Sequence, residues 1–141
     1  MDRRIATSLI VLAALVSAAP KWNPQGKKGV GQARVSLYRV APGQQIVFLQ
    51  WLAAREEVAK EAGIPATQLY AHLDGDAWDY LLIAPVTAAD QDARFDQIAA
   101  KKGVKTGFAA ALQFRDLLTF HSDTLVSGPL TAADLLAEAG E

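Results

Sequence analysis

The 141-residue chain contains no cysteine. That excludes disulfides, thiolate chemistry, cysteine-ligated zinc and a lipid anchor on an N-terminal cysteine. Histidine is nearly as scarce, with His72 and His121 the only two, which is too few for a dedicated zinc site without thiolates. Net charge is scarce as well. Fourteen basic side chains stand against 15 acidic ones, for a formal charge of -1. Nothing in that balance draws the protein to nucleic acid or to an anionic membrane. Phosphate-binding glycine loops and a Gly-x-Ser-x-Gly elbow are missing, and Gly26 to Gly31 follows no strand, so its glycines fail the context test for a dinucleotide site. Asp74, Asp76 and Asp79 lie close together but lack the longer ligand run and closing glutamate of a calcium loop, so Asp74-Gly75-Asp76 reads as a turn. The expectation is no metal and no cofactor.

What the chain does have is apolar residues, at 51% of the total. The first of them form a targeting signal. Arg3-Arg4 precede an apolar run from Ile5 to Val16, and Ser17-Ala18-Ala19 supply the small residues a signal peptidase requires. The run is much shorter than the roughly 20 residues that span a bilayer. Residues 1–19 are therefore expected to be a cleaved signal peptide, with export to the periplasm or the medium and no stable membrane insertion afterwards. The alternative is an uncleaved anchor or an ordinary helix, which the absence of charge between Arg4 and Lys21 disfavours. Residues 20–32, rich in glycine and lysine, read as a flexible linker to a domain over 33–141.

Ala33 to Ala41 is a strand candidate, stopped by Pro42-Gly43. From Gln44 to Ala62, Phe48, Trp51, Leu52, Arg55, Val58, Ala59 and Ala62 recur at three- and four-residue steps, which predicts a helix with one apolar face. Gly63 suits its left-handed terminus and Pro65 prevents continuation. Gln68 to Val86 holds two apolar-aromatic runs joined at Asp74-Gly75, a β-hairpin. A second helix is expected from Ala88 to Lys102 with Thr87 as N-cap, and a third from Phe108 to Phe120. Thr124 to Ser127 is a short strand candidate, and Thr131 caps a final short helix.

Strand, helix, strand, strand, helix, strand is the split βαβ, or ferredoxin-like, order of an α+β domain. Helices on one face leave the other face of the sheet bare. A second copy covering it avoids a large exposed apolar patch, so a homodimer is expected.

Three stretches carry a resemblance to a known superfamily: Val35-Ser36-Leu37-Tyr38-Arg39 with Pro42-Gly43, Asp74-Gly75-Asp76-Ala77-Trp78-Asp79-Tyr80, and Phe120-His121-Ser122-Asp123-Thr124 with Gly128-Pro129. Over about residues 33–130 the chain resembles the dimeric α+β-barrel superfamily, in particular its small bacterial members of unassigned role. The resemblance implies two ferredoxin-like sheets paired as a barrel. Superfamily members include cofactor-free monooxygenases, lactone isomerases, haem-degrading proteins and non-catalytic binders, and fold alone does not choose among them. The asparagine, tryptophan and arginine set of the characterised monooxygenases does not align here, since Trp51 sits on an expected helix and Trp78 on an expected strand.

Hairpin register decides which side chains meet. An even loop places Tyr70, His72 and Asp79 on one face, with Trp78, Tyr80 and Leu82 on the other beside Leu69, Ala71 and Leu73. An odd loop gathers Tyr70, His72, Trp78 and Tyr80 together. Asp-Gly favours a two-residue turn, whereas the clean separation of aromatic from aliphatic residues favours the odd loop. Either way the interior is aromatic, the usual character of a small-molecule pocket. Tyr38, Tyr70, His72, Trp78 and Tyr80 are the candidate ligand contacts. The competing account makes them core and dimer-contact residues only. His72, oriented by Asp79, is the candidate general base. Its plainer role, like that of His121 at the end of a helix, is structural. Three functions remain open: an exported binder of a small hydrophobic molecule, a cofactor-independent monooxygenase or isomerase using His72 and Asp79, and a structural or interaction module.

Overall fold

The computed structural model describes residues 31–140. The expected signal peptide and residues 20–30 of the expected linker lie outside the described residues. Elements follow in the order β1 (Gly31–Val40), α1 (Gln45–Glu61), β2 (Gln68–Ala71), β3 (Tyr80–Pro85), α2 (Ala89–Lys102), α3 (Gly107–Leu117), β4 (Leu118–Gly128) and α4 (Ala132–Ala139). The four strands form one antiparallel sheet in the order β2-β3-β1-β4. This is the ferredoxin-like α+β arrangement that the element order implied.

The core lies between the sheet and α1. Tyr38, Val40 and Leu82 project from the sheet onto Phe48 and Leu52 of α1 and Leu117 of α3. Phe48 and Val58 are fully buried. Gly63 ends α1 at φ 75°, a left-handed conformation that costs a residue with a Cβ more than it costs glycine.

Several boundaries differ from the sequence expectations. β1 begins two residues early, because Gly31 and Gln32 pair with Gly128 and Ser127 of β4. Thr87 is not the N-cap of α2; Ala88 is. The Thr87 hydroxyl instead donates to Asp92, and the Gln91 side chain accepts from the Ala88 N–H. The largest difference is at the third helix, which ends at Leu117 rather than Phe120. Leu118 to Asp123, expected as helix end and connection, are strand and extend β4 to 11 residues. Leu117 and Leu118 fit helical spacing, but residues 118–128 run beside β1 and take its free backbone groups. Thr131 does cap α4, accepting from the Asp134 N–H at 3.1 Å while Asp134 accepts from the Thr131 N–H at 2.9 Å.

Candidate functional site

The hairpin has the even register. Leu69 faces Leu82 and Ala71 faces Tyr80, and the His72 N–H donates to the Asp79 carbonyl at 2.8 Å. Asp74-Gly75 is not a two-residue turn but part of a longer loop. Within that loop the Asp76 carboxylate accepts from the Ala77 N–H, and the His72 and Trp78 rings lie 4.6 Å apart. Trp78 is thus in the loop before β3, not on a strand.

This register divides the five candidate ligand contacts. Tyr38 and Tyr80 are direct cross-strand partners under the helices, where both rings pack on Phe48. Tyr70 and His72 alternate to the opposite, open face, and Trp78 stays in the loop beside His72. The five do not line one cavity.

His72 and Asp79 are neighbours whose side chains do not engage one another. The Asp79 carboxylate accepts from the backbone N–H of Val40 at 2.6 Å, where the β1–β4 register shifts. The Arg39 Nε donates to the Ala77 carbonyl at the same end of the sheet. His72 Nε2 is buried without a hydrogen-bond partner. Asp79 is therefore a brace for the bulge rather than an orienter of a base. Asp79→Ala is expected to cost about 1–3 kcal/mol by stranding the buried Val40 N–H, while Asp79→Asn keeps an acceptor and costs less. Urea unfolding of the two variants checks this, and equal losses would contradict it.

The polar groups that do meet lie under the helices. A cavity of about 420 Å³ opens between the sheet and the helices. Its walls include Trp51, Phe95 and Phe114, and the Trp51 and Phe114 rings stand 5.3 Å apart. Its floor is Ser36 and Tyr38 from β1 and Asp123 from the antiparallel edge strand β4. The buried Ser36 hydroxyl donates to Asp123 Oδ1 at 2.7 Å, across a directly paired register. Arg34, Arg55 and Glu56 also line it. His121 sits opposite Tyr38 on β4 with its ring against Phe114, so it belongs to a strand and not to a helix end.

Burial pushes the Tyr38 hydroxyl above the ordinary tyrosine value; Asp123 adds to this, and the Ser36 hydrogen bond and Arg34 oppose it. The hydroxyl is therefore a neutral donor at physiological pH. With its folded value above the unfolded one of about 10, its stabilising effect is complete below about pH 10 and is lost as pH rises through the folded value. Wild-type protein should then lose stability more steeply than Tyr38→Phe between about pH 9 and about pH 11, read from urea midpoints. Parallel curves would remove Tyr38 as the cause.

A larger concavity, about 1040 Å³, lies on the open face of the sheet. Val35, Ile83, Pro85 and Val126 form its base, and Leu135 of α4 stands at its side. Its lining is mostly apolar, with Gln32, Gln68, Ser127 and Glu138 the polar exceptions, so it has chiefly surface to bury. Among the described residues no group of three or more histidine, aspartate or glutamate side chains could hold a metal ion. No described helix is long and apolar enough to cross a membrane.

Ser36, Asp123, Arg55 and Phe95 were not singled out as site residues from sequence. Ser36 and Asp123 are 87 positions apart, and only the pairing of β1 with β4 joins them. Arg55 did carry a signal, being the one charged residue on the apolar face of α1.

No family model and no curated protein matches the sequence. Solved structures similar to this chain include a NIPSNAP family protein of unknown function from Agrobacterium tumefaciens, with 15% identity and a TM-score of 0.48 over 72% of this chain and 94% of that one. Another is a dimeric ferredoxin-like protein of unknown function from Thermobifida fusca, with 17% identity and a TM-score of 0.44 over 72% and 93% of the two chains. A dimeric protein of unknown function and ferredoxin-like fold from Bacteroides fragilis has 12% identity and a TM-score of 0.36 over 72% and 98%. These are bacterial proteins without an assigned reaction.

Proposed function

We propose that the protein is an exported homodimer that binds a small, largely apolar molecule in the cavity between each sheet and its helices. The observation that carries this is the cavity itself. Its volume of about 420 Å³ falls within the range of roughly 300–1,000 Å³ common to small-molecule sites. Its make-up also suits a ligand, with aromatic walls and a few convergent polar groups on a strand floor. A module whose aromatics only pack would have no reason to leave such a space open. No reaction is assigned, because the expected base and its partner lie outside the cavity and do not contact each other through their side chains.

Dimerisation rests on the open face. Val35, Leu37, Leu81, Ile83 and Val126 share it, with Phe120 and Tyr70 at its ends. A second sheet on this face would bury them and would cover the larger concavity, which then belongs to the interface. Export rests on the basic start, apolar run and small residues of positions 1–19.

Native mass spectrometry of protein isolated gently from its own host tests the cavity. The wild-type dimer should carry a reproducible extra mass. Ala59→Phe, which fills the cavity from α1, should lose that mass while remaining a dimer. Retention of the same mass by the filled variant would place the ligand elsewhere, and bare protein in both would remove the support for a bound molecule.

A further inference from the structure

We infer that the molecule this cavity takes is an organic monoanion, an aryl carboxylate whose carboxylate is held by Arg55 and whose ring packs against the Trp51 and Phe114 side chains that wall the cavity. This rests on the cavity being a ligand site, and it adds the chemical class of the ligand.

The cavity holds guanidinium donors that lack an anionic acceptor. Four charged side chains line the cavity: Arg34, Arg55, Glu56 and Asp123. Both carboxylates already have hydroxyl donors, Asp123 from Ser36 at 2.7 Å and Glu56 from Thr67 at 2.9 Å. Neither arginine has a carboxylate. The ion pairs among the described residues are Arg94 with Asp90 and Lys102 with Glu61, both on the exterior. The four charges sum to zero, but the carboxylates have donors of their own, whereas the arginines have no anionic acceptor within ion-pair distance; the groups left for a ligand to complete are therefore guanidinium N–H donors.

Arg55 is the better placed of the two arginines. Its guanidinium lies 4.8 Å from the Trp51 ring centre and 5.1 Å from that of Phe95. Contact with two aromatic rings restricts the fork, and a restricted planar fork suits the two oxygens of a carboxylate. One of its nitrogens donates to the Lys105 carbonyl at 3.0 Å, leaving other N–H groups available. Burial lowers its proton affinity, with Asp96 acting in the opposite sense, yet a guanidinium stays charged at neutral pH. A half-buried cation with no direct ion pair is costly, and an incoming carboxylate recovers part of that cost. Arg34 is exposed at the mouth and adds attraction without orientation. The lining also offers the Tyr38 hydroxyl and the Asp123 oxygen that Ser36 does not bind, partners for a ring hydroxyl on the ligand.

A matched pair of probes tests the inference. 2-Naphthoate and its neutral amide, 2-naphthamide, have nearly the same shape and differ in charge. Calorimetric titration of the intact dimer should give the carboxylate a lower Kd by about 10-fold or more, the scale of a hydrogen bond to a charged group. In Arg55→Gln that preference should fall to nearly nothing while the amide binds as before. Arg55→Lys should retain part of it, since the charge remains and the fork is lost. A role for Arg55 in bracing α1 alone would weaken both probes equally, and that result would overturn the inference. Equal binding of the two probes to wild type would also overturn it, while leaving the cavity as a ligand site. Binding of neither probe, or unchanged binding of both to Ala59→Phe, would overturn the cavity reading and this inference together.

Discussion

Phe48→Ala is expected to destabilise the protein by about 3–5 kcal/mol, the largest loss from any single side chain described. Phe48 is 0% exposed. Its ring meets Tyr38 edge-on at 5.3 Å and stacks with Tyr80 at 5.7 Å and Trp51 at 6.3 Å. Truncation forfeits the transfer free energy of the ring and leaves a void, because α1 and the sheet close on it from opposite sides and cannot collapse fully. Three aromatic contacts, each worth roughly 0.5–1.5 kcal/mol beyond area, go with it. Against a typical stability of about 5–15 kcal/mol, the variant should unfold at a much lower urea concentration with a similar slope. Leu73→Ala is the matched control, since Leu73 is 97% exposed and should change stability by no more than about 0.5 kcal/mol. A loss below about 1 kcal/mol for Phe48→Ala would mean that α1 does not pack on the sheet as described.

The second large effect is on assembly. Val35 and Ile83 are direct cross-strand partners near the middle of the open face. Val35→Lys combined with Ile83→Glu places an opposite-charge pair there, which the sheet of a single protomer tolerates or even favours. A dimer pairing these faces does not tolerate it. Each apolar side chain withdrawn from such an interface forfeits roughly 1.5–3 kcal/mol, and two-fold symmetry doubles the loss. A total on the order of 6 kcal/mol or more raises the dimer dissociation constant by at least about 10⁴-fold. Light scattering should give the double variant half the mass of wild type at micromolar concentration, with an unchanged circular dichroism spectrum. A dimer of unaltered mass would refute the pairing of open faces, and a monomeric wild type would refute the dimer itself.

The two variants act on opposite faces of one sheet, and that division is what sequence reading could least resolve. Either parity of hairpin loop gave a plausible aromatic cluster from the same residues. The six residues from Leu73 to Trp78 decide it, by holding His72 opposite Asp79. Once the parity is even, Tyr38 and Tyr80 go under the helices and Tyr70 and His72 go to the open face. His72 and Asp79 were neighbours in only one of the two registers left open by the sequence, and nothing there showed that the carboxylate is taken by the Val40 N–H. That N–H is available only because the β1–β4 register shifts between Arg39 and Val40, and nothing local to Asp79 signals a bulge on another strand. β4 was mostly hidden for a related reason. Thr119 to Ser122 mix polar and aromatic residues without clear alternation, and their strand character comes from β1, not from their own propensity.

Local order along the chain was another matter. The three- and four-residue recurrence from Phe48 to Ala62 determined α1 and its buried face, the left-handed Gly63 marked its end, and Thr131 with Asp134 determined the start of α4. These follow from interactions among residues a few positions apart, which the sequence displays directly. The alternation of strands and helices was enough to imply the ferredoxin-like order and the bare sheet face. Tertiary structure alone decided the cavity. Ser36, Arg55, Phe95 and Asp123 come from four elements, and of the four only Arg55, charged on an apolar helix face, stands out from its local sequence. They form a site only because antiparallel pairing sets Asp123 opposite Ser36 while α1 crosses above them, and contacts made across such distances in the chain leave no periodicity to read.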